Sequence, residues 1–281
     1  MNYRHIFHAG NFADVMKHCT LISLVQSFFH KDKPIFYLDT HAGCDIYDLE
    51  HPAAKKTGEY RQGIAKIYQQ KNAPELINTY LAIVHGCNLI DSKQDKIHYY
   101  PGSAKFVRSL LRPHDRMALV ELSAKEYEQL QKHFYRNKQI AVHHQDGYQA
   151  LNALVPPLER RGLVFIDPTY EQVNETELIV KALVKAITKW PEGVYALWYP
   201  IKNQFEKNLL LKTLKQSLIM QEILSVELTI YPADAPIGLN GSGMVIINPP
   251  WQLEQKITEF LPWLWQQLSV TGQGGYHVAW L

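Results

Sequence analysis

Short runs of apolar residues alternate along the chain with segments in which apolar positions recur every three or four residues. The short runs predict buried strands, and the longer periodic segments predict amphipathic helices. This alternation is typical of a mainly parallel sheet covered by helices on both faces, which is the α/β class. The seven predicted strands are Ile35 to Asp39, Ala118 to Leu122, Ile140 to His144, Leu163 to Asp167, Val194 to Tyr199, Ser225 to Ile230 and Met244 to Asn248.

The first four predicted strands each end in or just before an acidic residue. These residues are Asp39, Glu121, Asp146 and Asp167. In open α/β sheets, ligands bind in a crevice outside the carboxyl ends of the strands. We therefore expect the four acids to meet at one crevice.

A long segment separates the first two predicted strands. Almost eighty residues lie between Asp39 and Ala118, far more than an ordinary crossover needs. Apolar spacing between Ile64 and Val84 predicts helices there, so we expect a helical insertion over residues 51–98.

The same region is basic in a nearly neutral protein. From Pro52 to Arg116 the chain has 11 Lys and Arg against 5 Asp and Glu. A local patch of this kind attracts a phosphate backbone. A solvated surface without a partner explains the same charges, so both interpretations stay open.

The segment before the first strand predicts a helix of about twenty residues that begins after Asn11, a good capping residue. Asn11, Asp14 and His18 form a polar stripe, with Lys17 beside it. On pattern alone such a stripe is usually solvated. The buried stripe is predicted to contain Phe12, Val15, Met16, Cys19 and Ile22.

Composition narrows the setting. The chain has 281 residues and a formal charge of +2, so the whole sequence carries no signature of a nucleic-acid binder. Cys19, Cys44 and Cys87 are far apart, which argues against a disulfide framework or a thiolate zinc site. The sequence contains neither a signal peptide nor an apolar run long enough to span a membrane. We expect a cytoplasmic protein without a membrane segment.

The strongest local signal is the segment of residues 163–170, where an apolar strand leads into Asp167, Pro168, Thr169 and Tyr170. This set suits methylation of an exocyclic amine such as adenine N6. The Asp167 carboxylate and the Pro168 carbonyl would accept the amine hydrogens, and Tyr170 would stack on the base. A simple strand-ending turn is the equally plausible alternative for these four residues alone.

A second segment has a similar pattern. Asn248, Pro249, Pro250 and Trp251 also follow an apolar strand. This strand is the last one predicted, which places it at the far edge of the sheet or in an antiparallel hairpin, away from the crevice. We therefore interpret these residues as a structural turn.

Three further positions suit a nucleoside-containing cofactor. Gly43 follows the first strand, where backbone must approach a ligand closely, and Glu121 is a natural acceptor for ribose hydroxyls. Asp146 and Gly147 could hold an adenine ring. The thirteen histidines show no spacing of a zinc site, so no metal is expected.

Residues along the whole chain resemble the bacterial 23S ribosomal RNA adenine-N6 methyltransferases of the RlmJ type. The resemblance lies in the segments of residues 3–18, 37–43, 57–60, 99–103, 160–163, 195–200 and 248–251. It implies a Rossmann-like S-adenosylmethionine-dependent methyltransferase fold, with a core of residues 1–50 and 99–281. It also implies a 23S ribosomal RNA substrate, a monomer, and N6-methyladenine as the product.

The resemblance further implies roles for individual residues. Asp167 would be the catalytic acceptor, and Tyr3, His5 and Lys17 would face the RNA. The residues implied to contact S-adenosylmethionine are His18, His41, Ser103, Glu121, Asp146, Gly147 and Asp167.

One position departs from the family pattern. The family's pattern at the catalytic turn resembles Asp-Pro-Pro-Tyr, whereas this chain has Thr169 in place of the second proline. The loss of that proline could loosen the turn, because proline fixes φ. Two alternatives stay open: a DNA adenine-N6 methyltransferase, and a protein that binds cofactor or nucleic acid without catalysis.

Overall fold

The computed structural model describes residues 4–89, 96–232, 235 and 237–281. Strands and helices alternate along most of this part of the chain. The strands are β1 (Phe36–Asp39), β2 (Ile46–Asp48), β3 (Tyr99–Pro101), β4 (Arg116–Glu121), β5 (Ile140–His144), β6 (Gly162–Ile166), β7 (Val194–Ile201), β8 (Ile223–Thr229), β9 (Gly241–Ile247) and β10 (Gly275–Trp280). The α-helices are α1 (Phe12–Ser27), α2 (Pro52–Thr57), α3 (Ile64–Ile67), α4 (Glu75–Cys87), α5 (Ser103–Arg108), α6 (Ala124–His133), α7 (Gly147–Leu154), α8 (Glu175–Lys189), α9 (Gln204–Ser217) and α10 (Leu253–Leu268).

Eight of the strands form one sheet in the order β10-β8-β9-β7-β6-β1-β4-β5. The strands from β7 to β5 in this order are parallel, while β9 runs antiparallel to both β7 and β8. Each face of the sheet carries its own hydrophobic core. The predicted α/β class with a mostly parallel sheet is therefore confirmed.

The predicted strand count was one too low for this sheet. All seven predicted strands are present, and the additional strand β10 pairs antiparallel with β8 at the edge. Tyr276 and Trp280 of β10 are about half exposed, so this strand lacks the continuous apolar pattern of a buried one. The short strands β2 and β3 form a separate two-stranded antiparallel sheet, which the sequence pattern also missed.

The carboxyl ends of β1, β4, β5 and β6 lie along one edge of the sheet because these strands are parallel and adjacent. The order of the strands reverses at β1: β4 and β5 follow it on one side, and β6 and β7 follow it on the other. A crevice opens at such a reversal of strand order. This edge brings the ends of the acid-bearing strands together.

Helix α1 is buried on nearly all sides. The Asn11 side chain caps it by accepting a hydrogen bond from the Asp14 amide, as the sequence predicts. The helix packs against α4, α5, α10 and β9. Asp14, Lys17 and His18 are each at most 3% exposed, so the pattern-based expectation of a solvated polar stripe is wrong. The stripe is turned toward the interior of the protein.

The segment between β2 and β3 contains α2, α3 and α4 and a short 3-10 helix at Glu59–Gln62. Its apolar side chains, including Ile64, Ile67 and Tyr80, belong to the same core as α1. A Cβ atom on Gly63 would lie 2.2 Å from the Gly10 carbonyl oxygen, so the two backbones touch. The helices of this segment are thus built onto α1, and the division of the chain at residues 51 and 98 stays a prediction.

Across the residues with assigned structure, no helix combines the length and apolar character that a membrane crossing requires.

Candidate active site

A cavity of about 300 Å³ opens at the carboxyl edge of the sheet, above β1, β4 and β6. It is lined by every residue that the sequence assigned to the cofactor: His18, His41, Gly43, Ser103, Glu121, Asp146, Gly147 and Asp167. His5, Lys17 and Pro168 line the same cavity. Tyr3 lies outside the described residues. The fold therefore brings together residues that are far apart in the chain, such as Lys17 and Asp167, which are 150 positions apart.

Glu121 is fixed at the end of β4 by two backbone amides. Its carboxylate accepts hydrogen bonds from Gly43 N at 2.8 Å and from Ser123 N at 2.7 Å. Gly43 has φ of +59°, a left-handed conformation that glycine adopts without steric cost. Burial raises the pKa of Glu121. Each carboxylate oxygen keeps a second lone pair that can accept a ribose hydroxyl.

The turn after β5 contacts the turn after β1. Asp146 caps α7 by accepting a hydrogen bond from Gln149 N. A Cβ atom on Gly147 would lie 2.3 Å from the Thr40 carbonyl oxygen and 3.0 Å from the His41 ring. Only glycine allows this approach, so Gly147 keeps the two turns together. Burial lowers the pKa of His41, which favours a neutral imidazole in the cavity wall.

His18 and Ser103 line the cavity on the side of α1. The His18 ring nitrogen Nδ1 lies 2.8 Å from the Tyr100 hydroxyl, and burial lowers the pKa of His18 to about 3. The Ser103 hydroxyl donates to Asp39 at 2.7 Å. Burial raises the pKa of Asp39 to about 6. The wall here presents neutral polar groups held by buried partners.

A chain of ion pairs leads from α1 to the end of β6. Lys17 Nζ lies 2.6 Å from Asp167 Oδ2 and 2.8 Å from Asp14 Oδ1. Asp14 Oδ2 accepts hydrogen bonds from Gly10 N and from His5 Nε2, each at 2.9 Å. Lys17 thereby links the catalytic turn to the start of α1.

The protonation of this chain follows from its charges. Burial alone would lower the pKa of Lys17, but the negative charges of Asp14 and Asp167 outweigh burial and raise it. Burial alone would raise the pKa of Asp14, but His5 and Lys17 hold it well below its usual range. Lys17 is therefore a buried cation between two carboxylates.

Two hydrogen-bond acceptors at the catalytic turn remain open. Oδ2 of Asp167 is taken by Lys17, whereas Oδ1 has no hydrogen-bond partner in the described part of the chain. The Pro168 carbonyl also accepts no hydrogen bond from the residues that the structure describes. Both residues line the cavity. A carboxylate oxygen and a carbonyl oxygen side by side can accept both hydrogens of an amino group.

Tyr170 does not line the cavity. Its backbone has a left-handed φ of +53°, and its hydroxyl donates to the Trp198 carbonyl at 2.8 Å. Its ring lies edge-on to the Trp198 ring, with 5.9 Å between the centroids. The stacking role assigned to Tyr170 from the sequence requires a contact that this side-chain position does not make, and it stays a prediction.

Sequence reasoning did not assign Tyr148 or Glu175 to the site, although both line the cavity. Glu175, the first residue of α8, is 5% exposed. Its carboxylate accepts hydrogen bonds from the Tyr148 hydroxyl at 2.5 Å and from Gln172 N at 3.2 Å. This pair ties the segment after the catalytic turn to α7. An acid at a helix start is common, so the pattern gave no sign of this contact.

The second proline-containing turn lies at the opposite edge of the sheet, because β9 is antiparallel to β7. The Asn248 side chain donates to the Pro191 carbonyl at 2.7 Å and to the Gly193 carbonyl at 2.8 Å, both just before β7 begins. Asn248 therefore fastens a loop far from the cavity. Over the described ranges, no three His, Cys, Asp or Glu side chains are grouped so that they could hold a metal ion.

The fold and the cavity define a class of enzyme. A mostly parallel sheet carries, at its reversal point, a glycine turn after β1, an acid at the end of β4 and an acid-proline turn after β6, the arrangement of S-adenosylmethionine-dependent methyltransferases. The chain belongs to the family described as ribosomal RNA large subunit methyltransferase D, RlmJ, whose model matches residues 32–281.

Individual relatives agree with this assignment over the full length. Ribosomal RNA large subunit methyltransferase J of Escherichia coli is 40% identical over 281 residues, covering 100% of this chain and 99% of that protein. The protein of the same name from Haemophilus influenzae is 39% identical with the same coverage. A crystal structure of a Legionella pneumophila protein has a TM-score of 0.87 and 38% identity, covering 97% of this chain and 98% of that one.

The residues of the cavity fit S-adenosylmethionine. Asp146 and Gly147, at the turn that touches the turn after β1, would hold the adenine, and Glu121 would offer acceptors to the ribose. His18, His41 and Ser103 would provide further polar contacts. When bound, the cofactor supplies a methyl group activated by a positive sulfonium.

Proposed function

We propose that the protein transfers a methyl group from S-adenosylmethionine to N6 of an adenine in 23S ribosomal RNA. The observation that carries the proposal is the pair of open acceptors, Asp167 Oδ1 and the Pro168 carbonyl, beside a cavity that fits the cofactor. The family membership and the two named relatives support a ribosomal RNA substrate.

The two acceptors address the difficulty of this reaction. The lone pair of adenine N6 is delocalised into the ring, so the amine is a poor nucleophile. Hydrogen bonds from its two N–H groups to Asp167 and Pro168 shift electron density back to the nitrogen and hold it in one orientation. N6 would gain the methyl group that the cofactor's sulfonium supplies, and the surplus N6 proton would leave along the hydrogen bond to Asp167.

Lys17 prepares Asp167 for this role. Its ammonium pairs with Oδ2 at 2.6 Å, which leaves Oδ1 available to the incoming amine. His5 is joined to Lys17 through Asp14. We propose that the RNA enters on the side of the cavity that His5 and Lys17 line. We keep the sequence-based proposal that Tyr3, which lies outside the described residues, also faces the RNA.

The basic segment from Pro52 to Arg116 is a second candidate for RNA contact. Several of its cations already have protein partners: Lys55 pairs with Glu50, Lys66 donates to the Leu268 carbonyl, and Arg116 pairs with Glu159. The remaining cations, among them Lys56, Arg61 and Lys105, are the ones that could meet phosphates. We further propose that the enzyme acts in the cytoplasm as a monomer and without a metal ion.

The test is methyl transfer from labelled S-adenosylmethionine to protein-free 23S RNA, with duplex DNA and an Asp167→Ala variant beside it. We expect label in the RNA, recovered as N6-methyladenine, and none with the variant. Label in DNA alone would identify a DNA adenine methyltransferase. Cofactor binding without transfer to either nucleic acid would identify a binding protein.

A further inference from the structure

The cavity is larger than the proposed cofactor site. Besides the cofactor residues, its lining includes Arg4, Ile46, Tyr47, Asp48 and His51, which are here called the mouth. None of these residues was assigned to the cofactor or to the catalytic turn. The mouth adjoins the proposed RNA side, because the Tyr47 ring lies 5.1 Å from the His5 ring. His5 in turn bonds Asp14, the partner of Lys17.

His51 presents one defined donor at this mouth. Its Nδ1 accepts a hydrogen bond from Ala53 N at 3.0 Å, which caps α2. A ring nitrogen that accepts cannot carry a proton, so the hydrogen of this neutral imidazole is on Nε2. Among the described residues, Nε2 of His51 has no hydrogen-bond partner. The cap therefore fixes the orientation of an N–H donor that no described residue accepts.

Asp48 presents an acceptor next to this donor. Its Oδ1 accepts a hydrogen bond from Glu50 N at 2.8 Å, and its other oxygen has no hydrogen-bond partner within the described ranges. A backbone hydrogen bond from His51 N to the Asp48 carbonyl, at 3.2 Å, closes the turn between them. The two side chains thus stand three residues apart on one tight turn, and both face the cavity.

We propose that Asp48 and His51 recognise the ribose 2′-hydroxyl of a nucleotide beside the target adenine. The 2′-hydroxyl is both a donor and an acceptor, and it is the group that distinguishes RNA from DNA. His51 Nε2–H donates to the 2′-oxygen, and the 2′-hydroxyl donates to Asp48. This inference rests on the proposed function and adds to it a reason for choosing RNA over DNA.

The test measures kcat/KM of the wild type on an all-RNA hairpin from 23S RNA that contains the target adenine. It compares this value with kcat/KM on the same hairpin carrying a single 2′-deoxy nucleotide. The deoxy position is moved in turn across the two nucleotides on each side of the target. We expect one position to lower the wild-type value about tenfold, the effect of losing a hydrogen bond to a charged group.

Two variants remove the proposed contacts while keeping the local fold. Asp48→Asn retains the acceptor for Glu50 N, and His51→Asn retains a capping side chain for α2. Each should lower kcat/KM for the all-RNA hairpin about tenfold and cause no further loss on the sensitive deoxy hairpin. Glu50→Gln, an exposed neighbour outside the cavity lining, should behave as wild type.

The outcomes separate the two proposals. If the wild type methylates no RNA, the proposed function fails. If the wild type methylates the all-RNA hairpin and every singly 2′-deoxy hairpin equally, only the 2′-hydroxyl inference is overturned. The same holds if the fold-losses in kcat/KM from the variant and from the deoxy nucleotide multiply when the two are combined. Unchanged S-adenosylmethionine affinity in both variants checks that the cofactor end of the cavity is intact.

Discussion

Replacing Lys17 with methionine removes the buried charge that joins α1 to the catalytic turn. The Lys17 side chain is 4% exposed and forms ion pairs with Asp14 and Asp167. Each charge-assisted hydrogen bond is worth about 1.5–3 kcal/mol, and removing one partner of a buried pair costs about 3–5 kcal/mol. We therefore expect Lys17→Met to lower the free energy of unfolding by about 3–5 kcal/mol.

The loss has a specific cause that a second substitution can test. In Lys17→Met the Asp14 carboxylate stays buried without the Lys17 ammonium. Adding Asp14→Asn removes that charge, so the double variant should be less destabilised than the sum of the single variants by more than about 1 kcal/mol. Urea unfolding followed by tryptophan fluorescence at 20 °C measures all three.

A surface lysine provides the control. Lys181 is exposed on α8, and Lys181→Met should change the free energy of unfolding by less than about 0.5 kcal/mol. Additive effects of Lys17→Met and Asp14→Asn, or a Lys17→Met loss as small as that of the control, would refute the account of a buried ion-pair chain.

Three further predictions concern the cavity wall. Tyr148→Phe should lower the methyl-transfer rate about tenfold, because it removes the hydrogen bond that ties Glu175 to α7. His18 has a folded pKa of about 3 against 6.5 unfolded. Only the unfolded state therefore gains its proton as the pH falls from 7 to 5, and this costs about 2 kcal/mol of stability. His18→Gln should remove that part of the pH dependence in urea unfolding, whereas His144→Gln at an exposed site should not. Thr169→Pro should raise turnover several-fold if a stiffer turn presents the Pro168 carbonyl better, and an unchanged turnover would remove the stiffness argument.

The sequence predicts the acid-bearing edge well because each part of it is local. A parallel strand that ends in Asp39, Glu121 or Asp167 delivers its acid to the carboxyl edge whatever else surrounds the sheet. The Asn11 cap of α1 is local in the same sense, since donor and acceptor lie three residues apart. Predictions of this kind need only the strand or helix and its direction.

Other features depend on contacts between distant segments. The polar stripe of α1 has the spacing of a solvated surface, and only the packing of α4, α5 and α10 around α1 turns it inward. The position of the Tyr170 ring is decided by the Trp198 carbonyl on the neighbouring strand. The edge strand β10 escapes prediction because half-exposed residues give a weak strand pattern.

The most direct test of the central claim is the activity of Asp167→Asn with cofactor binding measured on the same preparation. The carboxamide keeps the shape of the side chain but removes the negative charge opposite Lys17 and the amine. We expect calorimetry to show S-adenosylmethionine binding within a few-fold of wild type, and mass spectrometry of digested 23S RNA to show no N6-methyladenine above background. N6-methyladenine formed at a rate near that of wild type would contradict the assignment of Asp167 as the acceptor that activates the adenine amine.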